Sequence, residues 1–193
     1  SPLPGDFNLA NLAAAISALV LAGEDLAAVL AAVARLTPVP GRMQVIPNTL
    51  GLQVIVDYAH TPDALQQVLG ALRPHVEGAL VTVFGCGGDR DREKRQLMGR
   101  VACELSDRVV ITSDNPRGES PAEILRDLET GCSGDYLCLE DRAAAIAHAI
   151  GEARPGDCVL IAGKGHEEYQ VIEGRREYFS DAAQARARLD ERT

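Results

Sequence analysis

The sequence predicts an α/β domain with a mostly parallel, doubly wound sheet. Strand-like and helix-like segments alternate four times between residues 53 and 162, which is typical of βαβ units. The strand-like segments are continuous runs of Val, Ile and Leu, as expected for strands that helices cover on both faces. With 193 residues, of which 46% are apolar, the chain is long enough for one such domain and an additional segment.

A pair of helices precedes the predicted sheet. Residues 9–23 are rich in Ala and Leu and predict a helix that ends at Gly23, and residues 25–36 predict a second one. Because no strand accompanies them, we expect residues 1–37 to be the end of a preceding domain, in a chain that is part of a longer protein. Pro38, Pro40 and Gly41 predict a stiff connector, and residues 38–193 form the predicted α/β domain.

The elements of the predicted domain follow in a regular order. The five predicted strands cover residues 53–56, 79–84, 109–112, 136–139 and 158–162, and the helices between them cover 62–72, 93–105, 121–128 and 142–150. Predicted helix starts are Thr61 with Pro62, a capping box of Ser120 with Glu123, and Asp141. Residues 169–172 and 176–179 predict a hairpin, followed by a last helix that Ser180 or Asp181 caps.

Four of the five strands end in polar loops, which read DYAHT, GCGGDRD, DNPR and GKGHE. The carboxyl ends of parallel strands meet at one edge of a sheet, where ligands bind. A carboxylate that accepts from an ammonium and an Arg that clamps a carboxylate suit an amino acid, and the glycine loop can turn backbone N–H groups towards an anion. Three of the loops have ordinary alternatives: an Asx-Pro turn for DNPR, a glycine turn and a solvated charge run at residues 89–92 for GCGGDRD, and an exposed Lys164 for GKGHE.

Composition and missing motifs exclude several classes of function. A net charge of −9 argues against nucleic acid as a partner, and residues 12–22 are too short an apolar run to span a membrane. Neither G-x-G-x-x-G nor G-x-x-x-x-G-K-[ST] occurs. Five Cys without a C-x-x-C spacing predict reduced thiols, a cytoplasmic location and no zinc site. No loop suggests a Ser/His/Asp or Cys/His set, so we assign no catalytic residue and no metal ligand.

Six motifs together resemble the Mur ligases, and they come in that family's order. They are GDFNLAN at residues 5–11, PGRM at 40–43, DYAHTP at 57–62, GCGGDRD at 85–91, DNPR at 114–117 and GKGHE at 163–167. The resemblance implies three domains, of which residues 1–37 end the central ATPase domain and 38–193 form a carboxyl-terminal Rossmann-like domain. It also implies a reaction in which a UDP-muramoyl peptide is activated as an acyl phosphate at the expense of ATP and is then attacked by an amino acid's amine.

The resemblance also implies roles for individual residues. For the nucleotide, the residues are Asn11, Arg42, Asp57 and His60. For the incoming amino acid, they are Arg90, Asp114, Asn115, Pro116, Arg117, Gly163 and Glu167. The DNPR form is the one that the family associates with meso-diaminopimelate. That choice agrees with the charges, because lysine lacks the second carboxylate and would leave one Arg unpaired, at about 1–3 kcal/mol.

The resemblance is incomplete in one respect, since the family's phosphate-binding loop, its UDP-binding domain and its magnesium-holding carbamylated lysine do not occur in this sequence. We therefore expect the sites for ATP and Mg²⁺ to lie mostly on absent amino-terminal and central domains, the chain alone to be inactive, and the ligase to be a monomer acting on UDP-MurNAc-L-Ala-D-Glu. The alternatives are a lysine-adding ligase, a superfamily ligase acting on a folate or another peptide, and a stand-alone amino-acid-binding α/β module.

Overall fold

The structure, a computed structural model, describes residues 6–193, with side chains from Asn8 onward. Gly5, which opens the first of the six motifs, lies outside the described residues. The chain divides into two units, and the division falls between Val39 and Pro40.

The amino-terminal unit contains two helices, α1 (Asp6–Leu21) and α2 (Leu26–Val33). Gly23 follows α1 with a φ of 99°, and the N–H of Glu24 donates to the carbonyl of Leu19, which confirms the predicted glycine end. The carboxylate of Asp25 caps α2 by accepting from the Ala28 N–H at 2.9 Å. The second helix ends at Val33, earlier than the predicted Leu36.

The second unit is built on a six-stranded sheet with the order β1-β2-β6-β3-β4-β5. The strands are β1 (Gln44–Ile46), β2 (Gln53–Asp57), β3 (Leu80–Phe84), β4 (Arg108–Ile111), β5 (Tyr136–Cys138) and β6 (Cys158–Ala162). All pairings are parallel except that of β1 with β2, so the predicted mostly parallel sheet is confirmed. The sequence did not predict β1, because three residues after a Pro-Gly connector are too few to show a period.

Helices cover both faces of the sheet. They are α3 (Pro62–Leu72), α4 (Glu93–Leu105), α5 (Pro121–Glu129), α6 (Arg142–Glu152) and α7 (Asp181–Glu191), with a 3₁₀ turn at Arg73–His75. Every residue of the central strands β3 and β6 is buried, as the continuous apolar runs predict. Within residues 6–193, no helix combines the length and the apolar character needed to cross a membrane.

Side-chain caps start three of these helices as predicted. Thr61 accepts from Ala64 N at the start of α3, Asp141 accepts from Ala143 N in α6, and Ser180 accepts from Ala183 N in α7. The predicted capping box at α5 is wrong. The N–H of Glu123, which the Ser120 hydroxyl should have bound, donates instead to the Ser120 carbonyl at 3.0 Å.

The predicted hairpin is also present, as β7 (Tyr169–Ile172) and β8 (Arg175–Tyr178). These two strands form a separate antiparallel sheet. The backbone N–H of Arg117 donates to the Val171 carbonyl at 2.9 Å, which fastens the hairpin to the DNPR turn. The hairpin therefore forms one wall of the edge at which the four polar loops gather.

Candidate active site

A cleft of about 400 Å³ opens where β2, β6, β3 and β4 end, and all four predicted loops line it. Of the residues predicted to hold the amino acid, six line this cleft: Arg90, Asp114, Asn115, Arg117, Gly163 and Glu167. Pro116 is buried beside the cleft and is not part of its lining. The sequence did not single out Lys94 or Tyr169, which also line it, because neither belongs to a recognisable motif.

Arg117 is held in the cleft by a strained backbone. Its φ is 54°, a left-handed value that residues other than glycine rarely adopt. Its Nη1 donates to the carbonyl of Gly88 at 2.8 Å, which fixes one edge of the guanidinium. The other nitrogens have no bond among the described residues. A planar donor set fixed on one edge is well suited to clamp a carboxylate.

The glycine loop approaches the DNPR turn too closely for side chains. A Cβ at Gly88 would fall on the carbonyl oxygen of Pro116, and one at Gly87 would fall close to Nη1 of Arg117. The N–H of Gly88 donates to the Asn115 carbonyl at 2.9 Å. This corrects part of the prediction, because the Gly88 N–H joins two loops and is not free for an anion.

The acidic side of the cleft is a cluster of four side chains: Asp114, Asn115, Lys164 and Glu167. Nδ2 of Asn115 donates to Oε2 of Glu167 at 2.9 Å, and Nζ of Lys164 lies 3.3 Å from Oδ1 of Asp114. The expectation of an exposed Lys164 is wrong, since this side chain is 0% exposed. Its buried ammonium is possible because Asp114 arrives from a loop about fifty residues earlier in the chain and Glu167 lies three residues later.

A second ionic network joins the glycine loop to the DNPR turn. Arg95 is fully buried in α4 and binds both carboxylate oxygens of Glu119, at 2.8 and 3.0 Å. Glu119 also accepts from Nη2 of Arg92 and from the N–H of Asp89. The charge run at residues 89–92 is exposed, as expected for a solvated run, yet Glu119 ties down two of its members. Arg95 lowers the pKa of Glu119 to about 2.

This network predicts an acid-sensitive contribution to stability. The pKa of Glu119 is lower in the folded chain than its ordinary value of 4.5, so its contribution is complete above pH 4.5 and is lost as the pH falls towards 2. We expect Glu119→Gln to lower the free energy of unfolding by about 1–2 kcal/mol at pH 7, after solvent screening. In urea titrations, the difference in free energy of unfolding between this variant and the unmodified chain should become smaller as the pH falls from 5 to 2.

Glu123→Gln is the matched control for that experiment, since Glu123 is exposed and lies 3.9 Å from its partner Arg126. It should change stability by less than about 0.5 kcal/mol at any pH. A Glu119→Gln difference that stayed constant down to pH 2 would show that the carboxylate's charge does not stabilise the fold.

Asp57 anchors the connector. Its Oδ2 accepts from the Met43 N–H at 2.7 Å and its Oδ1 from the Ala59 N–H at 2.8 Å. Burial raises the pKa of Asp57, while those backbone donors and Arg42 offset part of the rise. Asp57 therefore orients the connector.

The remaining residues predicted to meet a nucleotide make no hydrogen bond to the carboxylate of Asp57 in the described part of the chain. The guanidinium of Arg42 is exposed and stacks 4.5 Å above the ring of Tyr58, and His60 is exposed at the rim of the cleft. A guanidinium and an imidazole with exposed N–H groups fit the phosphates of ATP. Both carboxylate oxygens of Asp57 already accept from backbone N–H groups, so Asp57, Arg42 and His60 together fit Mg²⁺ poorly. Asn11 is exposed on α1, in the amino-terminal unit.

Cys86 lines the cleft but is not an activated nucleophile. Its Sγ packs 3.4 Å from Sδ of Met98. Burial raises the pKa of the Cys86 thiol to about 12, so the thiol is protonated at neutral pH. All five cysteines are free thiols.

The fold and the cleft define a class of protein. A parallel sheet that carries cationic and anionic side chains together at its carboxyl edge defines an α/β domain whose cleft is suited to a small zwitterionic or multiply charged ligand.

Comparison with known proteins gives the family. The family model described as "Mur ligase, glutamate ligase domain" matches residues 41–165, and the chain belongs to the Mur ligase family. Over its full length the chain is 53% identical to the UDP-N-acetylmuramoyl-L-alanyl-D-glutamate–2,6-diaminopimelate ligase of Synechococcus elongatus, of which it covers 39%. It is 49% identical to the ligase of the same name from Geobacillus thermodenitrificans, with 98% of the chain and 40% of the relative covered.

Solved structures agree with the fold. A structure of a ligase with that same name superposes on the whole chain with a TM-score of 0.79 and 48% identity, and the match covers 40% of that chain. The UDP-N-acetylmuramate-alanine ligase of Thermotoga maritima shares the fold at 21% identity, with 98% of this chain and 38% of that one covered and a TM-score of 0.69. The chain spans about two fifths of the length of the curated relatives it matches.

Proposed function

We propose that this chain supplies the amino-acid-binding part of an ATP-dependent amide ligase that adds meso-diaminopimelate to UDP-MurNAc-L-Ala-D-Glu in peptidoglycan precursor synthesis. The observation that carries the proposal is the charge content of the cleft. It contains two guanidinium groups, from Arg90 and Arg117, the ammonium of Lys94, and two carboxylates, from Asp114 and Glu167. meso-Diaminopimelate carries two carboxylates, one for each guanidinium, and the carboxylates of Asp114 and Glu167 together accept from one of its ammonium groups.

The chain's residues bind and orient in this proposal. Arg90 and Arg117 clamp the carboxylates of the amino acid, while Glu167 and Asp114 accept from an ammonium. Arg42 and His60 hold phosphate oxygens of ATP, and Asn11 contacts its adenine. Mg²⁺ and the remaining nucleotide contacts belong to the central and UDP-binding domains of a longer, monomeric cytoplasmic enzyme, in which residues 1–37 complete the central domain. ATP supplies the activation of the peptide carboxylate, and bound diaminopimelate presents its amine to that activated group.

The test is a ligation assay with the full-length ligase that contains this chain. With UDP-MurNAc-L-Ala-D-Glu, ATP and Mg²⁺, we expect a product whose mass corresponds to added diaminopimelate, with one ADP released per amide formed. L-Lysine should react with a kcat/KM at least about tenfold lower, because it leaves one guanidinium of the cleft without a carboxylate. Equal use of lysine would contradict the choice of substrate.

The 193-residue chain is the matched control for the assay. We expect it to release no ADP under the same conditions. Binding of diaminopimelate without any activity in the full-length protein would favour the alternative of an amino-acid-binding module.

A further inference from the structure

The chain contains only two lysines, and Lys164 is the one that is fully buried. Its ammonium lies within 3.5 Å of three acceptors: Oδ1 of Asp114 at 3.3 Å, Oδ1 of Asn115 at 3.1 Å and Oε2 of Glu167 at 3.5 Å. A lysine loses several kcal/mol of hydration when it is buried, so such a site persists only where charged partners surround the ammonium.

Lys164 fixes which way the amide of Asn115 points. Oδ1 of Asn115 accepts from Nζ of Lys164 and from the N–H of Val171, at 3.1 and 3.0 Å. Nδ2 is thereby turned towards Oε2 of Glu167, to which it donates at 2.9 Å. The reversed amide would set its NH₂ group against an ammonium and an N–H, so only the observed orientation is compatible with all three partners.

The same contacts leave the cluster with an acceptor surplus. Two carboxylates and one ammonium give a net charge of −1. Oε1 of Glu167 and Oδ2 of Asp114 have no protein donor in the part of the chain that the structure describes. A Cβ at Gly163 would come within 3.3 Å of that Oδ2, so glycine keeps space open beside it. One unit of negative charge with free oxygens is a receptor for one ammonium group.

We infer that Lys164 is a positioning residue, which orients Asp114, Asn115 and Glu167 to receive an ammonium group of the incoming amino acid. The inference rests on the proposed function. Lys164 is not among the residues that line the cleft, so it acts through its three partners and does not contact the substrate. It sets both the geometry and the net charge of the receptor, because without it two carboxylates would stand together uncompensated.

The first test is steady-state kinetics of Lys164→Met in the full-length ligase. We expect KM for diaminopimelate to rise at least about 30-fold, with KM for ATP changed less than about threefold, because the lysine supports only the ammonium receptor. In an enzyme that already carries Glu167→Gln, Lys164→Met should raise KM for diaminopimelate by a factor at least about threefold smaller, since one of the carboxylates that Lys164 orients is already neutral. Equal increases in KM for diaminopimelate and for ATP would overturn the positioning role. So would effects of Lys164→Met and Glu167→Gln that simply add in the double variant.

A spectroscopic measurement covers the case in which Lys164→Met fails to fold. With ¹⁵N-labelled lysine, the unmodified 193-residue chain has two ammonium signals, and the buried one should exchange slowly with water. That signal is assigned by its persistence in Lys94→Met. We expect it to shift when diaminopimelate is added to the full-length ligase. An ammonium in fast exchange, or one that does not respond to a substrate that the enzyme uses, would overturn the inference.

Failure of the inference and failure of the proposed function have different signatures. A full-length ligase that does not use diaminopimelate would overturn the proposed function and the inference that rests on it. An enzyme that uses diaminopimelate but keeps its KM in the Lys164→Met variant would overturn the positioning role alone.

Discussion

Arg117→Ala is expected to lower the affinity of the full-length ligase for meso-diaminopimelate by about 30- to 1000-fold, or roughly 2–4 kcal/mol. The alanine removes a guanidinium that Gly88 already holds in place, so the substrate carboxylate loses two directed hydrogen bonds and a charge. Calorimetric titration and KM for diaminopimelate measure the loss. Arg100→Ala, on the exposed surface of α4, is the control and should leave both values unchanged.

The backbone of Arg117 offers a sharper test. Its φ of 54° is unfavourable for any residue with a Cβ and is easily adopted by glycine. We therefore expect Arg117→Gly to be more stable than Arg117→Ala by about 1 kcal/mol, while both variants lose the same affinity. Equal affinity loss with unequal stability would show that the side chain acts in binding. Affinities that followed stability would show that it serves mainly to hold the turn.

Lysine binding completes the experiment. If Arg117 clamps the carboxylate that lysine lacks, Arg117→Ala should reduce the preference for diaminopimelate over lysine to near one. If Arg117 instead holds the carboxylate that both amino acids share, the affinity for both should fall equally. The second outcome would assign the discriminating role to Arg90, the other guanidinium of the cleft.

Local patterns were sufficient to predict most of the fold. The five parallel strands are apolar runs bounded by turns, and α3, α6 and α7 begin at caps that are visible in the sequence. The strand β1 was missed, because its place in the sheet depends on pairing with β2 and not on its own three residues. The capping box at α5 failed because the backbone of the first turn supplied the bond that the motif assigns to a side chain.

The site was predictable where a loop follows a strand and unpredictable where burial depends on distant partners. Arg90, Asp114 and Glu167 follow strands whose ends meet at one edge. Lys164 looked like an exposed lysine between two glycines, although Glu167, three residues later, is one of its partners. Its partner Asp114 lies about fifty residues away, and only the parallel pairing order brings the two together. Long-range ion pairs of this kind leave no periodic signal.

The largest stability effect is expected at another such pair, Arg142 with Asp181. Both side chains are 0% exposed, and their two hydrogen bonds measure 2.7 and 2.8 Å. Burial alone would disfavour the charge of Arg142, but Asp181 more than offsets this and raises the arginine's pKa. Arg142→Met leaves the carboxylate of Asp181 buried without a counter-charge, so the free energy of unfolding should fall by about 3–5 kcal/mol.

Urea titrations at pH 7 measure the loss of stability in Arg142→Met, and two further variants show what causes that loss. Arg126→Met removes an exposed arginine 3.9 Å from Glu123 and should cost less than about 0.5 kcal/mol. The double variant Arg142→Met/Asp181→Leu removes both charges and should be more stable than Arg142→Met alone. A double variant as unstable as the single one would assign the loss to packing or to the other bonds of Arg142.

Those other bonds connect the pair to the cleft. Nη2 of Arg142 donates to the Ala162 carbonyl at 3.0 Å, and Nη1 donates to the Ser113 carbonyl at 3.3 Å. These carbonyls immediately precede Gly163 and Asp114, so one buried guanidinium holds the ends of β6 and β4 at the start of both site loops. We therefore expect Arg142→Met, at temperatures where it is still folded, to raise KM for diaminopimelate as well. An unchanged KM in the folded variant would show that the two loops keep their positions without this support.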